Sequence, residues 1–140
     1  MPADYTIDAE RGVVFSRGTG VFTHADFIGH MTRLGKEKWF QPGFNHLVDC
    51  RSITQMKLTG GEIEELAKRS LFAANSKRAF VVANGVQFGL SRMFATYRKI
   101  HGGQEVRVFT ELREALSWLG LPEDLDPYSG NETPFALKSD

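Results

Sequence analysis

From residue 44 to residue 121 the chain alternates three times between a short apolar run and an amphipathic stretch of helical length. Few folds accommodate that rhythm. A strand followed by a helix and a further strand closes as a right-handed crossover, and three such units make a mostly parallel sheet with helices packed on it. The runs are residues 44–49, around Leu47-Val48, residues 78–83, around Ala79-Phe80-Val81-Val82-Ala83, and residues 105–109, alternating through Val106 and Val108. The second is apolar almost throughout, the mark of a strand covered on both faces. Between them, Ile63, Leu66, Ala67, Ser70, Leu71 and Ala74 trace one helical stripe, and Leu90, Met93, Phe94, Tyr97 and Ile100 trace another. Leu112, Ala115, Leu116 and Leu119 form the last stripe, with Thr110 as its expected cap and Gly120 and Pro122 as its stop.

The first forty residues supply a different opening. Residues 5–8 and 12–17 flank Ala9-Glu10-Arg11-Gly12 and read as a hairpin whose first strand lies antiparallel at an edge. Gly18-Thr19-Gly20 is expected to break the second strand. Thr23, with Asp26 three residues on, opens a helix through Phe27, Ile28, Met31 and Leu34. The expected architecture is α/β: a mixed, mostly parallel five-stranded sheet with about four helices, spanning residues 4–121.

Beyond Leu121 the composition changes. Residues 122–140 hold Pro122, Pro127 and Pro134, and Glu123, Asp124, Asp126, Glu132 and Asp140 against Lys138 alone. This acidic, proline-containing tail is expected to be loosely ordered, with Tyr128 and Phe135 as the residues able to pin it to the body or to a second copy in a homodimer. The whole chain balances 17 basic against 17 acidic residues, which argues against broad electrostatic binding of nucleic acid. No apolar run is long enough for a transmembrane segment. A start without basic and apolar signal-peptide regions, and a single cysteine, Cys50, fit a cytoplasmic protein.

The order of elements resembles the SpoIIAA-like (STAS) superfamily and, within it, the bacterial STAS/SEC14-like small proteins. The segments that carry the likeness are Leu47-Val48-Asp49-Cys50-Arg51, Arg78-Ala79-Phe80-Val81-Val82-Ala83, Phe88-Gly89-Leu90-Ser91-Arg92-Met93-Phe94, Val106-Arg107-Val108-Phe109 and Glu114-Ala115-Leu116-Ser117-Trp118-Leu119. The resemblance covers residues 5–121. It implies a non-enzymatic regulatory module acting through an unidentified protein partner or, on its SEC14-like side, a binder of a small apolar, lipid-like ligand. Members of that branch are mostly of unknown function. Anti-sigma-factor antagonists of the superfamily carry an Asp-Ser-Ser-Gly-like stretch where this chain has Lys57-Leu58-Thr59-Gly60-Gly61. The serine phospho-switch is therefore not expected, and Thr59 reads as a helix cap.

Parallel sheets gather ligands at the carboxyl ends of their strands. That places Asp49, Arg51, Thr59 and the segment after residue 49 near any site. An apolar group of Phe22, Met56, Leu58 and Phe88, with Arg92 one turn beyond Phe88 at the rim, is the expected binding surface. Trp39-Phe40 sits at the opposite end, as a core plug or an anchor for a partner or membrane surface. Cys50 would need a histidine beside it to act as a nucleophile. His24, His30, His46 and His101 lack metal-ligand spacing and are expected at or near the surface. Gly18-Thr19-Gly20 is only a fragment of a dinucleotide loop. No catalytic residues, metal or cofactor are expected.

Overall fold

The computed structural model describes residues 3–69, 71–128 and, by backbone, 136–138. Ser70 and Phe135 lie outside the described residues. In chain order the elements are β1 (Ala3–Asp8), β2 (Val13–Thr23), α1 (His24–Gly35), β3 (Asn45–Lys57), α2 (Gly60–Lys68), β4 (Lys77–Val81), α3 (Gly85–Ile100), β5 (Glu105–Phe109), α4 (Leu112–Trp118) and β6 (Ala136–Lys138). The sheet order is β5-β4-β3-β2-β1-β6. Strands β2 to β5 run parallel, and β1 is antiparallel to β2. The five expected strands are all present. The short β6 pairs antiparallel with β1 along Thr6 to Asp8, so β1 is not the outermost strand at that end.

The hairpin closes at Gly12, whose φ of +66° is open to glycine at little cost. The Asp8 carboxylate accepts hydrogen bonds from both the backbone and the guanidinium of Arg11. Side chains alternate across the sheet, so each strand feeds two cores. On one face Val48, Cys50, Phe80, Val82, Val106 and Val108 pack under α1, α2 and α3 through Phe27, Ile63, Leu66 and Phe94. Tyr5, Ile7 and Val14 continue that face against Leu34 and Phe72. On the other face Val13, Phe15, Leu47, Ala79 and Val81 meet Ala115, Leu116 and Leu119 of α4. Helix α4 ends in a Schellman arrangement: Gly120 has φ +77°, and the Leu121 N–H returns to the Leu116 carbonyl at 2.9 Å.

Five local expectations give way. Gly18-Thr19-Gly20 does not break β2, and the strand expected over residues 44–49 runs on to Lys57. Helix α2 stops at Lys68 because Arg69 adopts an extended backbone, which turns Leu71 and Phe72 into the core. Thr110 does not cap α4; Glu111 occupies that position without a side-chain bond. In α3 the buried stripe is Gln87, Ser91, Phe94 and Arg98, leaving Met93 and Ile100 outside. Its polar members bury because they have work in the core: Gln87 receives the Ala83 N–H and donates to the Ile53 carbonyl, and Arg98 donates to the Ala67 carbonyl.

Candidate functional site

Two extra residues in β3 shape the space beneath the helices. Pairing with β2 slips between Arg17 and Thr19 and again between Gly20 and Val21. At each slip β3 spends one residue more than β2, the signature of a bulge. Face parity changes twice, so Cys50, Ile53 and Met56 all turn to the helical side. With Phe22, the register partner of Met56, they extend that wall past the core of the sheet.

Between this wall and α1, α2 and α3 lies a small cavity of about 70 Å³. Phe22, Phe27, Met56, Leu58, Leu90 and Phe94 are among its apolar lining residues, and the same space reaches Ser16, His30, His46 and Arg78. The polar group is the unusual part. Ser16 Oγ stands 2.9 Å from His30 Nε2 and 2.7 Å from His46 Nε2. Its single proton serves one imidazole, so the other imidazole donates to it. The Nδ1 atoms of both rings are buried without a hydrogen-bond partner. Burial, reinforced by Arg33 and Arg78, lowers the His30 pKa to about 4, and burial with Arg78 and His30 also holds His46 well below the ordinary range. Both rings are neutral at physiological pH.

Arg78 is the register partner of His46 and is only 1% exposed. Its guanidinium carbon lies 5.1 Å from the ring centres of Phe72 and of Phe94, and His46 stacks on Phe72 at 4.6 Å. Its Nε and Nη2 have no hydrogen-bond partner. Desolvation and the neighbouring Arg98 lower its pKa to about 9, still cationic at neutral pH. Arg98 itself fits because position 103 is glycine, where a Cβ would fall 1.9 Å from its Nη2.

The opposite face of the same strands is resolved differently. The Asp49 carboxylate accepts from Arg51 Nε at 3.0 Å and Nη2 at 2.9 Å, from the Arg51 backbone N–H, and from the Tyr128 hydroxyl. Arg17 stacks over the Tyr128 ring at 4.5 Å. Burial pushes the Asp49 pKa up, but these donors together hold it below the usual carboxylate value. Tail residue Tyr128 thus contacts the body, and Leu125 packs on the α4 core.

Of the residues singled out from sequence, Phe22, Met56 and Leu58 converge on the cavity. Phe88 and Arg92 do not join them. They stack on each other, 5.7 Å from guanidinium carbon to ring centre, with Phe88 38% exposed. The inward positions of α3 belong to Gln87, Ser91 and Phe94 instead. Asp49 and Arg51 occupy the other face of the sheet, as alternation from Cys50 requires. Thr59 forms a capping box: its hydroxyl accepts from the Glu62 N–H at 3.1 Å, and the Glu62 carboxylate accepts from the Thr59 N–H at 2.9 Å. Cys50 is buried, and desolvation with the Asp49 charge pushes its thiol up to about 12, far from a reactive thiolate.

Sequence reasoning missed Ser16, His30, His46 and Arg78. The signals were parity and helical phase. His46 precedes Val48 and Cys50, and Arg78 precedes Phe80 and Val82, by steps of two; His30 falls on the stripe of Phe27, Met31 and Leu34. Among the described residues no cluster suits a metal ion, and no helix is long and apolar enough to cross a membrane.

The topology, one antiparallel strand before four parallel ones with three helices over one face and one under the other, is that of the SpoIIAA-like fold. A crystal structure of an uncharacterized DUF3478-family protein with a SpoIIAA-like fold, from Shewanella loihica PV-4, superposes with a TM-score of 0.53. The two chains are 19% identical, over 76% of this chain and 83% of the other. At that identity the likeness shows the fold. The sequence matches no known family profile and none of the curated proteins.

Proposed function

We propose that this chain is a non-enzymatic binding module whose ligand is a small, mainly apolar molecule held between the sheet and helices α1 to α3. The observation that carries the reading is the cavity itself: a narrow space walled by side chains from β2, β3, β4 and three helices, with Phe22, Met56 and Leu58 extending it beyond the sheet. Cores pack to crystal-like density with few voids larger than a water molecule, so a space of about 70 Å³ stands out in this one. So small a volume suits a single chain better than a fused ring system. The absence of bond-making chemistry is part of the proposal; it is supported by the unreactive thiol of Cys50 and by imidazoles depressed by burial.

The test is native mass spectrometry of freshly purified protein, followed by solvent extraction. A retained adduct that extraction removes, and that a long-chain alcohol or acid replaces, is the expected result. Apoprotein mass alone, with no uptake of either amphiphile and no change in Nile red emission, overturns the reading. A second reading, a regulatory module docking a protein partner, is favoured by the outer flank of α3, where Val86 and Ile100 are 66% and 67% exposed with Met93 on the same side of the helix. Charged substitutions at Val86 and Ile100 would abolish partner capture on that reading and leave ligand uptake unchanged.

A further inference from the structure

We propose that the cavity takes a single-chain carboxylic acid head first, its carboxylate paired with the Nε–Nη2 edge of Arg78 and its chain running toward Phe22, Met56 and Leu58. This inference rests on the ligand-binding reading above and adds the chemistry and the orientation of the ligand.

The first argument is the state of the arginine. A guanidinium withdrawn from water costs several kcal/mol unless an anion or a full set of acceptors compensates it. Arg78 lines the cavity with no carboxylate within ion-pair distance among the described residues, and its unpartnered atoms are Nε and Nη2. Those two N–H groups share one edge of the guanidinium plane and point the same way, so together they match the two oxygens of one carboxylate. The molecule contains that pair on its other face: Arg51 uses its own Nε and Nη2 to hold Asp49. Arg78, one of the residues lining the cavity, has that same edge unpaired.

The second argument is shape. Phe72 and Phe94 each stand 5.1 Å from the guanidinium carbon, so a group that stays in the guanidinium plane is the one that crowds them least. A planar carboxylate is such a group. A tetrahedral phosphate carries oxygens out of the plane, toward the rings. Among the same lining residues, one of the two unpartnered imidazole Nδ1 atoms must bear a proton, because the Ser16 hydroxyl donates to only one of the two Nε2 atoms. The polar part of the lining therefore supplies a buried cation and a spare neutral donor, and the rest of it is apolar. An amphiphile with the opposite arrangement, charge outward, would leave Arg78 uncompensated and gain nothing from it.

The experiment compares dodecanoate, dodecanol, methyl dodecanoate and dodecyl phosphate on the delipidated full chain, by calorimetry and native mass spectrometry. Dodecanoate is expected to bind about ten- to a hundred-fold more tightly than the alcohol and the ester, the worth of a charge-assisted hydrogen-bonded pair. Arg78→Met should erase that preference while the alcohol still binds. If none of the four binds, the ligand-binding reading falls. If the alcohol equals the acid, the cavity reading stands and the carboxylate site is overturned; tighter binding of the phosphate also overturns it. Should Arg78→Met fail to fold, a wild-type measurement decides. Dodecanoate bearing a nitroxide at its methyl end should broaden the amide resonances of Met56 and Leu58. Broadening at His46 and Ala79 instead would mean tail-first entry, and the proposal would be wrong.

Discussion

Arg51 and Arg78 stand on neighbouring strands, on opposite faces of one sheet, and end in opposite electrostatic states. Arg51 is half in water and fully paired with Asp49, with Tyr128 closing the group. Arg78 is out of water, between two aromatic rings, with its pairing edge unmet by any side chain. The polar cluster on the α4 side satisfies itself and ties the tail to the body. The one under the helices does not, and it opens on a cavity. Placement of charge alone does not distinguish a structural cluster from a binding site; the completeness of its hydrogen bonding does.

The contrast can be broken in several places. The largest effect is expected at Phe94, which touches Phe27, Phe80 and Arg78 at once. Phe94→Ala should cost about 3–5 kcal/mol by urea denaturation and abolish uptake of any amphiphile. Next comes acid. The unfolded chain binds the His30 proton near pH 6.5 and the folded chain only near 4. Below pH 6.5 protons therefore favour unfolding. Stability is full above that value and declines by about 3 kcal/mol as the pH falls to 4. His46 adds to the same loss. The Asp49 side has a lowered carboxylate pKa, so its contribution persists through this window and is lost only at more acid pH. Denaturation midpoints of His30→Gln should be flatter between pH 6.5 and 4, and those of Asp49→Asn flatter only below. Coincident windows would show the two clusters to be one unit.

Arg78→Met should raise the stability of the delipidated protein by about 2 kcal/mol, because an unpaired buried cation is replaced by an apolar chain of similar length. A loss would mean that the guanidinium is satisfied within the fold. Tyr128→Phe removes one donor from Asp49 and leaves the Arg51 contacts in place. It should cost about 1 kcal/mol in the same denaturation experiment and leave amphiphile affinity unchanged. The smallest effect is expected at Phe88, outside both clusters. Phe88→Ala should cost under about 1.5 kcal/mol, well short of a core phenylalanine, and spare ligand uptake.

The elements that repeat were legible from sequence. Strand–helix alternation in the second half, the Thr23 and Thr59 capping boxes and the Gly120 stop all follow from local chemistry, and each is present. The wall of the cavity was not legible, for a physical reason. Cys50, Ile53 and Met56 are three residues apart, a spacing that fits neither an alternating strand nor a helical stripe of useful length. Only the two slips against β2 make it a strand. The polar end was hidden differently. A histidine or arginine at an inward position obeys the same alternation as valine, but its polarity argues for the surface, and nothing local says that rings from Phe72 and Phe94 will cover it. Phe88 shows the reverse error. A large aromatic beside a glycine suggested a cleft, whereas Gln87 and Ser91 held the inward phase of the helix.

The bulges of β3 have a mechanical side as well. Residues 17–23 of β2 run beside residues 49–57 of β3, seven against nine over the same stretch of ladder. Two bonded ribbons of unequal contour length cannot lie straight, just as a bimetal strip cannot. Bulges bend the strand that carries them and tighten its twist. The curvature of the arm bearing Phe22 and Met56 is then set by a residue count, not by the identity of the side chains along it. Substitution can recoat the mouth of the cavity with larger or smaller groups and leave its arch in place. Changing the arch itself takes an insertion or a deletion.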